Sequence, residues 1–185
     1  MKNFSYLLGA CLLLSATACQ LNTKKPTTEE IIKEAAKSPG ANAGANKFSI
    51  DAPSGWQKYD TSLNGLKTTL LIAPAGEGQF HPNINVMSES MRGTSIESYF
   101  DQNLSVMGKY MQGFVSGEKG EKEIAGVKAK WLVYSQAPNG LNLDAVFYAV
   151  PKNGIAYIIT CTAPKGDLEK YRAKFDEALN SFRFL

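Results

Sequence analysis

The sequence predicts an α+β fold, an antiparallel β-sheet with two helices, and two observations carry that prediction. Extended apolar segments follow one another between residues 118 and 163, joined by Ala125-Gly126, Pro138-Asn139-Gly140 and Lys152-Asn153-Gly154. Turns that short pair antiparallel neighbours, because a parallel pair needs a crossover of about a dozen residues. Two other stretches, about 95–112 and 167–181, place apolar side chains three and four residues apart, the spacing of a helix that buries one face. There is no internal repeat, and 185 residues leave room for one core rather than two.

The chain opens on Met1-Lys2-Asn3, an apolar run from Phe4 to Leu14, and Ala16-Thr17-Ala18-Cys19. A basic start, an apolar stretch and a small-residue box before cysteine form the pattern of a bacterial lipoprotein signal. Residues 1–18 are therefore expected to be removed and Cys19 to become a lipidated N-terminus. The apolar run falls short of the roughly 20 residues that a spanning helix needs. Acyl chains add about 0.8 kcal/mol of membrane affinity per buried methylene, so several on one cysteine hold a domain durably. Gln20 after the cysteine resembles the sorting pattern for an outer membrane, and the absence of acids just beyond it points to the periplasmic face.

Residues 19–46 read as a lipidated tether, poor in large apolar side chains and rich in Lys, Thr, Ala, Asn and Gly. Thr27 to Lys37 can form three helical turns that Ser38-Pro39-Gly40 would stop. As a flexible coil, residues 20–46 would span about 30 Å, and truncation before Lys47 should cost almost nothing.

Residues 47–185 form the folded domain. Lys47 to Ile50 opens it, ahead of Pro53-Ser54-Gly55 and Trp56. Strands follow at Leu66–Ala73 and at Asn83–Ser90, where Ile84 and Val86 take one face and Asn83 and Asn85 the other. Thr94-Ser95-Ile96-Glu97 has the form of a capping box, with Thr94 as the cap. Ile96, Tyr99, Phe100, Leu104, Met107, Tyr110 and Met111 then mark a buried helix stripe. Four more strands are expected at Glu118–Ile124, Val127–Gln136, Leu141–Val150 and Ile155–Ala163. The closing helix, capped at Asp167, buries Leu168, Tyr171, Phe175, Ala178, Leu179 and Phe182.

Composition excludes several functions. The formal net charge is +3, and bases alternate with acids, as in Glu118 to Glu123, so no nucleic-acid footprint exists. Cys11 leaves with the signal and Cys19 carries lipid, so Cys161 stands alone and no intrachain disulfide forms. Strand alternation puts Cys161 on the side of Tyr157 and Ile159, as a small buried apolar residue. The chain has one histidine, His81, and no Gly-x-Ser-x-Gly element. One histidine and one buried cysteine cannot build a zinc site; no metal, cofactor or catalytic residue is expected. Among the aromatic residues Trp56, Tyr59, Trp131, Tyr134, Phe147, Tyr148 and Tyr157, core roles are favoured, and Trp131, alternating with Ala129 and Val133, reads as buried. The segment Pro74 to Pro82 is longer than a hairpin needs. It sets Phe80 beside Gln79 and His81, a candidate partner-binding loop.

Phe48-Ser49-Ile50-Asp51-Ala52-Pro53-Ser54-Gly55-Trp56, the Asn83 to Val86 strand and the closing Ser181-Phe182-Arg183-Phe184 resemble the PsbP-like families, including the DcrB-like bacterial lipoproteins. The resemblance spans residues 47–185. It implies an antiparallel sheet sandwiched by helices, in a superfamily used mostly for binding and assembly, and it supplies no catalytic motif to carry over. The expected function is a lipid-anchored, non-catalytic module that binds or stabilises another envelope component. An envelope hydrolase using His81, or capture of a small apolar ligand between sheet and helix, are the alternatives.

Overall fold

Left-handed backbone at short turns fixes much of the strand order. Asn153 and Gly154 hold φ of 51° and 73°, the pair of positive angles whose twist suits a two-residue hairpin. In the computed structural model, which describes Lys33 and residues 36–63, 65–74 and 80–185, that turn joins β7 (Leu143–Lys152) to β8 (Ile155–Pro164). Short turns likewise join β5 (Val115–Ile124), β6 (Val127–Gln136) and β7 as antiparallel neighbours. Before them come β1 (Phe48–Ser49), β2 (Gln57–Leu63), β3 (Leu66–Ile72) and β4 (Asn83–Ser90). The seven-stranded sheet runs β2-β3-β4-β8-β7-β6-β5, with every pair antiparallel.

A helix lies on each face. On one, α1 (Ile96–Tyr110) buries Tyr99, Phe100 and Met107 in a cluster with Leu132, Tyr134, Phe147 and Ile158. On the other, α2 (Leu168–Ser181) buries Phe175, Ala178 and Leu179 with Leu71, Ile84, Val86, Ile159 and Cys161. Strand β8, covered on both sides, is buried from Ala156 to Ala163 and accordingly reads as a near-continuous apolar run. The ends of the domain meet in a small second sheet, where Phe48 pairs with Phe184 of β9 (Arg183–Phe184) and their rings enclose Tyr157 and Phe182. The α+β class, the antiparallel sheet and the helix on each face agree with expectation.

Two elements differ from it. β2 is an edge strand exposed along its whole length, so its sequence shows no apolar face to detect. The cap of α1 is Ser95 rather than Thr94: the Ser98 amide donates to Ser95 Oγ at 3.2 Å, while the Thr94 hydroxyl donates to the Met91 carbonyl.

The larger correction concerns the end of the tether. β3 and β4 pair only from Ile72–Asn83 to Thr69–Val86, and residues 40–44 fill the gap where the two strands part. The Ser90 amide donates to the Gly40 carbonyl at 3.0 Å, Ala41 bridges Glu89, and the Gly44 amide donates to Ser88 Oγ at 3.1 Å. On the β3 side, the Lys67 amide donates to Asn42 Oδ1 at 2.7 Å and Asn42 Nδ2 donates to the Gly65 carbonyl at 2.9 Å. Ala36 and Ala41 pack on Leu66 beside Met87. A Cβ on Gly44 would sit 2.8 Å from the Tyr157 ring, and one on Gly40 2.9 Å from Ser90 Cβ. The small residues that suggested a linker are those that close backbone approach requires. The signal, Cys19 and most of the expected helix at 27–37 lie outside the described residues.

Candidate functional site

The register across β5, β6 and β7 sets Gly120, Trp131 and Tyr148 in one row on the α2 face of the sheet. Helix α2 packs over the middle of that face and leaves this row open. Between them runs a cleft of about 520 Å³, lined by Trp131, Val133, Val146 and Tyr148 from the sheet and by Leu168 and Phe175 from the helix. Gly120 makes room for the indole: a Cβ there would lie 2.9 to 3.1 Å from three adjacent indole atoms, so the ring rests over the glycine. Trp131 is consequently half-buried rather than core. Its alternation with Ala129 and Val133 is correct, but how far α2 covers the face is invisible to strand periodicity.

The rim is charged. Lys122 pairs with Asp176 across the cleft at 2.8 Å, and Arg172 grips Glu169 through two nitrogens, one at 2.7 Å, which holds the Glu169 carboxyl below its usual range. Glu121 is held by Lys130 and Lys128. Glu118 lines the same cleft, exposed, and its carboxylate has no hydrogen bond or ion pair among the described residues. Burial pushes the Tyr148 phenol up, so it stays a neutral hydroxyl.

A second polar centre lies under α1. Glu89 on β4 is only 3% exposed, and its carboxylate accepts from the Tyr99 hydroxyl. Burial raises its pKa to about 8, against the hydrogen bond from Tyr99 and the charge of Arg92. Asn85, Met87 and Glu89 share the strand face turned to α1, opposite Ile84 and Val86.

Of the residues singled out from sequence, Cys19 and Gln79 lie outside the described residues, Phe80 is half-buried and His81 is exposed. His81 Nδ1 faces the Ala73 carbonyl at 3.3 Å. It borders a second groove of about 640 Å³ with Tyr59, Leu70, Ile72 and Asn83, remote in register from the Trp131 row. Among the described residues no serine or carboxylate bonds the imidazole, and no three His, Cys, Asp or Glu side chains group as metal ligands. Cys161 is fully buried, and burial pushes its thiol up, away from nucleophilic thiolate. Tyr134, Phe147 and Tyr157 are core, while Trp56 packs edge-on against Tyr171 and Phe175. No described helix is long and apolar enough to cross a membrane.

No protein-family model and no curated protein sequence matches this chain. Solved structures do. LpqN of Mycobacterium tuberculosis, described as involved in cell envelope biogenesis, is similar with a TM-score of 0.59 and 13% identity over 86% of this chain and 98% of its own. PA94 of Pseudomonas aeruginosa, a protein of unknown function, is similar with a TM-score of 0.57 and 16% identity over 74% and 96%. PsbP of the cyanobacterium Synechocystis is similar with a TM-score of 0.48 and 12% identity over 75% and 93%. At such identities the likeness is one of fold.

Proposed function

We propose that this chain is a bacterial lipoprotein, anchored through Cys19 at the periplasmic face of the outer membrane, whose domain binds another envelope component without catalysing a reaction. The observation that carries the reading is the cleft beside Trp131, which opens an aromatic wall to solvent at the side of helix α2. Pockets of this size that mix apolar walls with a few polar groups are where proteins take ligands and partner side chains. The involvement of LpqN in cell envelope biogenesis supports the compartment. A hydrolase using His81 gains no support from its surroundings, where a backbone carbonyl is the neighbour. A purely apolar small ligand suits the cleft less well, because half of its rim is charged. The segment holding Gln79, Phe80 and His81 is the competing contact surface, and His81 borders its own groove.

Two measurements test this. Cys19→Ser should abolish incorporation of a labelled fatty acid and release the protein from the membrane fraction; label retained in that variant would refute the anchor. For the binding surface, crosslinking in cells followed by detergent extraction should give a defined adduct that Trp131→Leu loses and Phe80→Ala keeps. The reverse pattern would move the interface to the 74–82 segment, and an adduct kept by both variants would exclude both surfaces.

A further inference from the structure

We infer that the cleft takes a cationic side chain, a lysine or arginine presented by a partner protein, and that Trp131 and Glu118 recognise it. This rests on the cleft being the binding surface. With one face of the indole against Gly120, the other is available to the cleft, and an indole face is the strongest aromatic partner for an ammonium or guanidinium. Tyr148 stands directly opposite Trp131 on the neighbouring strand and extends the aromatic wall.

The charges point the same way. Both bases in the lining have partners: Lys122 is taken by Asp176 and Arg172 by Glu169. Glu121 is neutralised by two lysines. Glu118 is the lining charge with no partner among the described residues, and it is negative. An anionic ligand would meet three carboxylates, Glu118, Glu169 and Asp176, with no free base to receive it. A neutral apolar ligand would cover Glu118 and desolvate it without compensation. A lysine or arginine satisfies both features at once, its methylenes lying along Val133 and Val146 and its charged head between the indole and Glu118. The roughly 520 Å³ available accommodates such a side chain with part of the backbone that carries it.

The test uses the detergent-solubilised lipoprotein and the nuclear magnetic resonance signals of its two tryptophan indoles, with Trp56 as the internal control. The probes are the N-acetyl methylamides of arginine, lysine and citrulline, the last an uncharged near-isostere of arginine. Arginine and lysine probes should shift the Trp131 indole saturably, at least fivefold more tightly than citrulline, and leave Trp56 unmoved. Glu118→Gln, an exposed and fold-neutral change, should weaken arginine at least fivefold and narrow the preference over citrulline to what the indole face alone supplies. Equal affinity for arginine and citrulline, an unaltered Glu118→Gln variant, or no Trp131 shift with any probe would each overturn the inference. The adduct lost in Trp131→Leu but kept in Glu118→Gln would leave the cleft as the interface and remove only the cationic specificity. An adduct kept in Trp131→Leu would remove the interface itself.

Discussion

A chain starting at residue 47 should unfold at least about 10 °C below one starting at residue 36. The shorter form keeps both helices and all nine named strands, so composition alone would call it complete. It loses the segment that fills the gap between β3 and β4. Two amides, of Ser90 and Lys67, lose the acceptors they have on Gly40 and Asn42. The Gly65 carbonyl and Ser88 hydroxyl lose their donors, and Leu66, 5% exposed, loses its cover of Ala36 and Ala41. At about 1 kcal/mol for each hydrogen bond, and a further 1–2 for uncovering most of a leucine, the deletion costs roughly 5 kcal/mol. A start at residue 36 removes none of these bonds and serves as the reference. Gly44→Val in the full chain should act in the same direction, since its side chain would collide with the Tyr157 ring and Ile155. Equal thermal midpoints for the two truncated chains would show that this segment only rests on the sheet.

What was legible in the sequence follows from how each element is buried. β4 and β6 fall on the expected residues because alternation and flanking turns agree there, and β8 stands out because both of its faces are covered. β2 was hidden, since an edge strand exposed on both faces needs no apolar side chain; its polar run is what keeps such an edge from pairing with other chains. The segment at 40–44 was hidden for the opposite reason. Close packing between strands selects glycine and alanine, the residues that also make a linker. The Trp131 cleft depends on the offset of α2 from β6, a tertiary fact. Gly120, directly opposite Trp131, was its sequence trace, readable only once the register of β5 on β6 is known. Glu89 was passed over because a carboxylate in a strand ordinarily faces water.

Glu89 sets the second large effect, a loss of stability as pH rises across neutrality. A carboxyl whose folded pKa stands above its unfolded value binds its proton more tightly in the native state. Its contribution is complete below the unfolded value of 4.5 and is lost as pH climbs through the folded value of about 8. Each unit of separation corresponds to about 1.4 kcal/mol, so the wild-type protein should lose on the order of 3 kcal/mol between pH 5 and pH 8. The charged and polar groups around it fix the sign. Burial beneath α1 favours the neutral acid, and the Tyr99 hydroxyl and Arg92 oppose it only partly. Arg92 is itself turned outward, bonded to Ser38 and to the Pro39 carbonyl. Glu89→Gln keeps an oxygen that can accept from Tyr99 and carries no proton to lose. Urea denaturation should therefore show the variant close to wild type at pH 5 and more stable at pH 8, with a flattened profile between. Tyr99→Phe should instead carry the loss to higher pH at an unchanged slope, because it removes a donor that favours the ionised form and so raises the folded value further. Parallel pH profiles for wild type and Glu89→Gln would mean that Glu89 ionises in the native protein as it does in the unfolded chain, and that α1 does not seal it from water.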